Sequence, residues 1–338
     1  MSTPILSPEH IFDTLWGFQR TAALKTGIDL GLFTIISEGA HTAADISARC
    51  GAAERGVRIL CDYLTIIGLL KKVDGTYHLT AESAFFLNRT SPAYVGGTAS
   101  FMAARELRSN FDELTAAVKH GGVPPQGVNT VTDNNPTWWV EFAKAMVPMA
   151  MPSAFAIAEI LGVATSGPLR VLDIAAGHGM FGITLAQRNP QVDVVATDWA
   201  SVLSVAEANA STAGVAGRYR LLPGDAFRVD FGTGFDVALI TNFLHHFDPA
   251  TNTNFLRKVH GSLVPGSRVV LLEFVPNPDR VSPPMAAGFS LAMLSGTPSG
   301  DAYTLAELTA QLTGAGFADV TAYPQPTPQT VIVAKRTS

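Results

Sequence analysis

The chain has 338 residues, room for roughly two domains. Hydrophobic residues make up 47% but charged ones only 15%, against about 25% in an ordinary globular protein, which points to surface hidden in a subunit interface. A net charge of −5 gives no global basic field for nucleic acid or an anionic membrane, and no uninterrupted apolar run approaches the ~20 residues of a membrane-spanning helix.

The N-terminus, "MSTPILSPEHIFDTLW", lacks a basic segment followed by an apolar core and does not read as a signal peptide. The two cysteines, Cys50 and Cys61, form no CxxC and no Cys/His cluster. They read as buried thiols of a reducing cytoplasm, with no metal site.

Residues 11–90 read as short helices closed by a hairpin. In "HTAADISARCG", Thr42 is an N-cap and Gly51 a stop. "AAERGVRILCDYLTIIGLL" is a second amphipathic helix, and "KKVDGTYHLT" turns at Asp74-Gly75 between two short strands. Helix, turn, helix, hairpin is the winged-helix pattern. Many winged helices bind DNA, but residues 1–110 hold ten Lys/Arg and ten Asp/Glu. The second helix mixes Arg55 and Arg58 with Glu54 and Asp62, and suits packing against protein better than against phosphate. Residues 91–165 are mostly helical, ending in the Trp-, Met- and Phe-rich "TWWVEFAKAMVPMAMPSAFAIAEIL".

From Leu169 strands and helices alternate. The strands are "LRVLDI", "VDVVATD", "YRLLPG", "FDVALITNF", "SRVVLLEFV", "DVTAYP" and "TVIVAK", with helices beginning near His178, Ser201, Pro249 and Thr304. Apolar strands alternating with helices predict a parallel sheet covered on both faces. A closing hairpin puts one antiparallel strand at or near the edge of that sheet.

After the first strand, Gly177-His178-Gly179-Met180-Phe181-Gly182 spells G-x-G-x-x-G. Ligands of such sheets lie beyond the carboxyl ends of the strands, and the glycines serve a dinucleotide and S-adenosylmethionine alike. Charge separates the two. Asp173, four residues before Gly177, would repel a pyrophosphate but favour the ammonium and sulfonium of S-adenosylmethionine. Asp198, twenty-five residues on, ends the next strand, where a carboxylate accepts ribose hydroxyls of either ligand. After the third strand, "GDAF" places Asp225 and Ala226 near the adenine amino group and Phe227 on its face.

At this point "VLDIAAGHG", "ATDW", "GDAF", "FLHHFD" and "VVLLEFVP" resemble successive motifs of the S-adenosylmethionine-dependent O-methyltransferases of the plant caffeate and acetylserotonin type, in a bacterial branch. The resemblance implies a Rossmann-like, mostly parallel α/β sheet with a C-terminal hairpin, beside an N-terminal winged-helix domain. It divides the chain into a dimerisation domain (1–100), a helical connector contributing to the acceptor pocket (101–165) and an S-adenosylmethionine-binding catalytic domain (166–338). It implies a homodimer that needs no metal and methylates a small-molecule hydroxyl. His245 matches the family's general base and Glu273 the first of two acids that bracket it. The second acid maps to Ala302, with Asp301 beside it. Ala175 and Ala176 stand where the family has glycines, and His246 where it has aspartate.

Methyl transfer from a sulfonium requires a positioned, deprotonated acceptor. A phenol of pKa about 10 is a poor nucleophile at pH 7 until a base such as histidine takes its proton. An acid on the other ring nitrogen then fixes the tautomer. His245 is the base on this reading, Glu273 its orienter and Asp301 a second orienter. Asn242 is a cofactor contact, with a structural role as the competing reading. The apolar acceptor pocket draws on Trp139, Phe142, Met146, Met149, Phe289 and Met293. Transfer to carbon or nitrogen with the same histidine is the alternative; a nicotinamide dehydrogenase and a winged-helix regulator are the readings from other classes.

Overall fold

The computed structural model describes residues 6–124 and 136–337. The chain divides into two compact units, residues 1–105 and 106–338.

In the first unit, α1 (Glu9–Leu15), α2 (Gly17–Asp29), α3 (Leu32–Ser37), α4 (Ala43–Cys50) and α5 (Glu54–Ile66) precede the antiparallel pair β1 (Leu70–Val73) and β2 (Thr76–Leu79). The helices α6 (Ala81–Phe86) and α7 (Ala99–Met102) follow. The local signals act as read. Thr42 accepts the N–H of Asp45 to cap α4, and Gly51 ends it in the left-handed region at φ 69°. Asp74 and Gly75, both at positive φ, make the hairpin turn. Leu32, Phe33, Ile36, Ile46, Leu64 and Tyr77 fill the core. Cys61 is buried there, its thiol pushed up to about 12 by burial. Cys50 is only half-buried, a correction to the reading of two buried thiols: it sits at the last position of α4, where one side faces out.

In the second unit, α8 (Arg105–Asp112), α9 (Leu114–His120) and α10 (Pro136–Ile160) lead to an α/β sheet. Its elements are β3 (Leu169–Ile174), α11 (Met180–Arg188), β4 (Val192–Asp198), α12 (Ala200–Thr212), β5 (Tyr219–Pro223), β6 (Phe235–Thr241) and α13 (Pro249–Ser262). Then come β7 (Leu263–Glu273), α14 (Pro284–Gly296), α15 (Leu305–Gly314), β8 (Phe317–Pro324) and β9 (Thr330–Arg336). The seven strands run β5-β4-β3-β6-β7-β9-β8. Of the seven, β9 alone runs opposite to the other six, one place in from the edge. The strand order reverses at β3, which lies between β4 and β6. A doubly wound sheet opens its ligand crevice at such a point.

Alternating side chains divide between two cores. Val171, Val194, Val237 and Val270 face one layer with α10, α11 and α12, whereas Leu172, Ile240, Leu271 and Ile332 face the layer with α13 and α15. α10 is long and apolar enough to cross a membrane by length and composition alone. Here its Ala150, Ala154, Ile157 and Ala158 belong to the core of the sheet, and Glu141, Lys144 and Glu159 interrupt its apolar surface.

Candidate active site

The strands β3, β4, β5, β6 and β7 end side by side, and their C-terminal loops carry the predicted site. After β3 the chain turns sharply through Ala175–Gly179. Gly177 and Gly179 lie at φ 57° and 75°, which glycine adopts without steric cost. Gly179 is also required by packing, because a Cβ there would stand 2.5 Å from the Tyr219 hydroxyl and 2.9 Å from Ala206 Cβ. A Cβ on Gly177 would meet nothing closer than the Ala175 carbonyl at 3.9 Å, so its outer side is open to close approach. Ala175 itself lies at φ 52°, a conformation that costs a residue with a side chain roughly 1–2 kcal/mol. The loop keeps the glycine path without the glycine.

Asp198, at the end of β4, is tied to this loop. Its Oδ2 accepts the N–H of Gly177 at 2.8 Å and its Oδ1 that of Trp199 at 2.7 Å. Burial pushes its carboxyl up to about 6, against the lowering effect of the two amides.

Asp173 sits differently from the carboxylate expected at the loop mouth. It has no exposed surface, and its Oδ2 accepts the N–H of Gly182 at 3.0 Å in the first turn of α11. Burial pushes its carboxyl up to about 8, the Gly182 amide lowers it, and Asp198 adds a smaller upward push. The physical reason is strand parity. Asp173 shares its face with Val171, the side that α11 covers, so its carboxylate supports the glycine loop from beneath.

Beyond β5, Asp225 Oδ1 accepts the N–H of Phe227 at 2.9 Å, and the Ala226 carbonyl accepts from Lys258 Nζ at 2.8 Å. Phe227 is 36% exposed and packs edge-on against Phe247 at 4.9 Å. Asn242, just past β6, has φ 54°, donates its N–H to the Leu272 carbonyl at 2.9 Å, and accepts a hydrogen bond from the Gln329 side chain.

The most tightly built part of the site is the turn of 3₁₀ helix Leu244–His246. His245 Nδ1 lies 2.5 Å from Glu273 Oε2, and both side chains are buried. Glu273 Oε1 accepts the N–H of Phe243 at 3.1 Å and of Leu244 at 2.9 Å. With a carboxylate on Nδ1, the proton sits on Nδ1 and the lone pair on Nε2.

Asp301 does not join this pair as expected. Its carboxylate lies 3.1 Å from the Arg280 guanidinium, and only its main-chain N–H reaches His245, donating to the carbonyl at 2.9 Å. Two residues that sequence reasoning missed explain why. Arg280, paired with both Asp301 and Glu307, draws the carboxylate away. Gly300 lets the loop approach, since a Cβ there would stand 2.3 Å from the His245 carbonyl oxygen. No motif marks either one; the "SGD" context is the only local cue.

Of the apolar candidates, Phe289 on α14 packs edge-on against His245 at 4.9 Å and stacks on Phe274 at 3.9 Å. Trp139 on α10 meets His246 at 6.2 Å and Phe142 at 5.5 Å. Met146 and Met149 lie one and two turns beyond Phe142, half-buried, and Met293 is buried in α14.

Two family models match the chain. The O-methyltransferase dimerisation domain covers residues 12–89 and the O-methyltransferase domain residues 113–318, more than half of the sequence. The chain belongs to the O-methyltransferase family. It is accordingly an S-adenosylmethionine-dependent methyltransferase, and the dehydrogenase and non-enzyme readings fall. The 3-hydroxy-5-methyl-1-naphthoate 3-O-methyltransferase of Streptomyces sahachiroi is 30% identical over 93% of this O-methyltransferase and 90% of its own length. The L-tyrosine C(3)-methyltransferase of Streptomyces lavendulae is 27% identical over 98% and 93%. A solved structure from Nostoc punctiforme, assigned to the O-methyltransferases, matches with a TM-score of 0.94 and 45% identity over 98% of this chain and 100% of that one.

Proposed function

We propose that this O-methyltransferase methylates a phenolic or enolic hydroxyl of a small molecule, with His245 as general base and Glu273 as its orienter. The observation that carries the reading is the buried 2.5 Å contact between His245 Nδ1 and Glu273 Oε2. It commits one ring nitrogen to the carboxylate and leaves the other to receive a proton.

The loop ends fit the cofactor. The outer side of Gly177 is open, Asp198 has carboxylate lone pairs left for ribose hydroxyls, and Phe227 presents a partly exposed ring near Asp225 and Ala226. Asn242 completes this rim, and Asp173 acts on it through α11. When bound, S-adenosylmethionine supplies an electrophilic methyl group on a cationic sulfur that departs as a neutral thioether. His245 Nε2 takes the acceptor proton as the new oxygen–carbon bond forms. Glu273 stabilises the resulting imidazolium through the Nδ1 hydrogen bond. Phe289, Trp139 and Phe142, with Met146, Met149 and Met293 on the same helices, give the acceptor an apolar, water-poor setting.

Residues 1–100 serve as the dimerisation domain, 101–165 as connector and 166–338 as the catalytic domain. Homodimerisation through the first is supported by the family match over 12–89 and by α1, none of whose residues is buried and whose Ile11, Phe12 and Leu15 are exposed. The two free cysteines fit a reducing, cytoplasmic setting. Carbon methylation is the second reading, favoured by the likeness to the tyrosine C(3)-methyltransferase along nearly the whole chain; the same base would remove a proton from an activated carbon acid.

Calorimetric titration with S-adenosylhomocysteine and with NADH, followed by methyl counting on naphthols and other phenols, tests the reading. Micromolar binding of the first alone, with methyl recovered on oxygen, is expected. Methyl recovered on carbon selects the second reading, and no transfer to any phenol overturns the first.

A further inference from the structure

Two buried polar atoms beside the base have no hydrogen-bond partner among the described residues: Trp139 Nε1 and His246 Nδ1. Their rings meet nearly perpendicular, 76° apart in plane. The His246 ring also stands 4.2 Å from that of His245. An indole N–H only donates, whereas a neutral imidazole keeps one nitrogen as acceptor. Burial, and then the neighbouring His245, hold His246 well below the ordinary histidine range, so its ring is neutral. His245 cannot satisfy its neighbour through Nδ1, which Glu273 occupies. Two unpartnered nitrogens are therefore left on neighbouring rings close to His245: one a donor, the other a donor or an acceptor according to the tautomer of His246. Buried polar groups in native proteins are nearly always paired, so two orphans at one place mark where a ligand group belongs.

We propose that Trp139 and His246 together read a second, neutral hydroxyl on the acceptor, adjacent to the one that is methylated. This rests on the assignment of His245 as the base. A hydroxyl satisfies both orphans at once, accepting from Trp139 and either donating to or accepting from His246, whichever tautomer the ring holds. A bare ring carbon satisfies neither. A carboxylate brings an uncompensated charge into an apolar site. Sites built to pair with a polar group reject analogues that lack it far more sharply than apolar pockets reject shape changes.

The test is calorimetry on the full-length protein saturated with S-adenosylhomocysteine, using 2,3-dihydroxynaphthalene, 2-naphthol and 3-hydroxy-2-naphthoate. The wild type is compared with His246→Phe and Trp139→Phe, and methyl transfer from S-adenosylmethionine is counted in parallel. The diol is expected to bind at least ~10-fold tighter than 2-naphthol, with the naphthoate weakest. Each substitution should bring the diol-to-naphthol ratio toward one. Equal binding of diol and naphthol, no binding of any of the three, or a ratio unmoved in a folded variant would overturn the proposal. Two variants on different elements guard against one failing to fold. Selective binding without methyl transfer would leave the pair standing and instead sink the role given to His245.

Discussion

Glu273 holds the His245 turn at three points: Oε2 on the ring Nδ1, and Oε1 on the main-chain N–H groups of Phe243 and Leu244. One carboxylate thus fixes both the imidazole and the backbone that carries it. Glu273→Gln keeps an acceptor for the amides but can present an N–H to Nδ1, which favours the wrong tautomer. Single-turnover methyl transfer should fall by roughly 10²–10⁴, with S-adenosylhomocysteine affinity little changed.

Asp301 and His245 meet through main chain alone. Asp301→Asn preserves that N–H and should lower kcat only slightly. A loss as large as that of Glu273→Gln would mean the carboxylate reaches the ring in the working enzyme. Gly300→Ala should cost about 1–3 kcal/mol in denaturant unfolding and lower kcat, because the loop must retreat from the His245 carbonyl.

Asp173 sets a pH dependence of stability. The folded state holds its proton up to about 8, whereas the ordinary value is 3.8. The stability gained from that protonation is full below the ordinary value and is lost as pH rises through about 8. Asp173→Asn still accepts from Gly182 and carries no charge. Its unfolding midpoint should therefore fall less than that of the wild type between about pH 6 and 9.

Asp198 sets a pH dependence of binding. On the proposed reading it accepts the ribose hydroxyls, which a carboxylate does best when ionised, and it gains a proton as pH falls through about 6. S-adenosylhomocysteine affinity measured by calorimetry should weaken over that range in the wild type. The Asp198→Asn variant should bind more weakly throughout and show a flatter profile.

Much of this was legible in the sequence because local chemistry decides it. Apolar strands marked all seven β-elements of the sheet, and Thr42, Asp248 and Thr304 cap their helices where polar residues precede helical runs. His245 and Glu273 were readable as a pair through the resemblance of "FLHHFD" and "VVLLEFVP" to the family's motifs; in the fold His245 lies just beyond β6 and Glu273 ends the neighbouring β7. The direction of Asp173 was also encoded, in its parity with Val171 on the face of β3 that α11 covers. The fate of the Asp301 carboxylate was not encoded locally. It depends on Arg280, twenty-one residues earlier in the chain, and such a pairing exists only once β7, α14 and the loop after it have packed. The orphaned Trp139 and His246 likewise come together only through tertiary packing of α10 against the end of β6.

The central claim is that His245 removes the acceptor proton. Its most direct test is radiolabelled methyl transfer from S-adenosylmethionine to the phenolic acceptor panel, run side by side for wild type and His245→Ala at matched cofactor saturation. The account expects transfer by the wild type and a loss of roughly 10²–10⁴ in the variant, with cofactor affinity retained. Undiminished transfer by His245→Ala would contradict it.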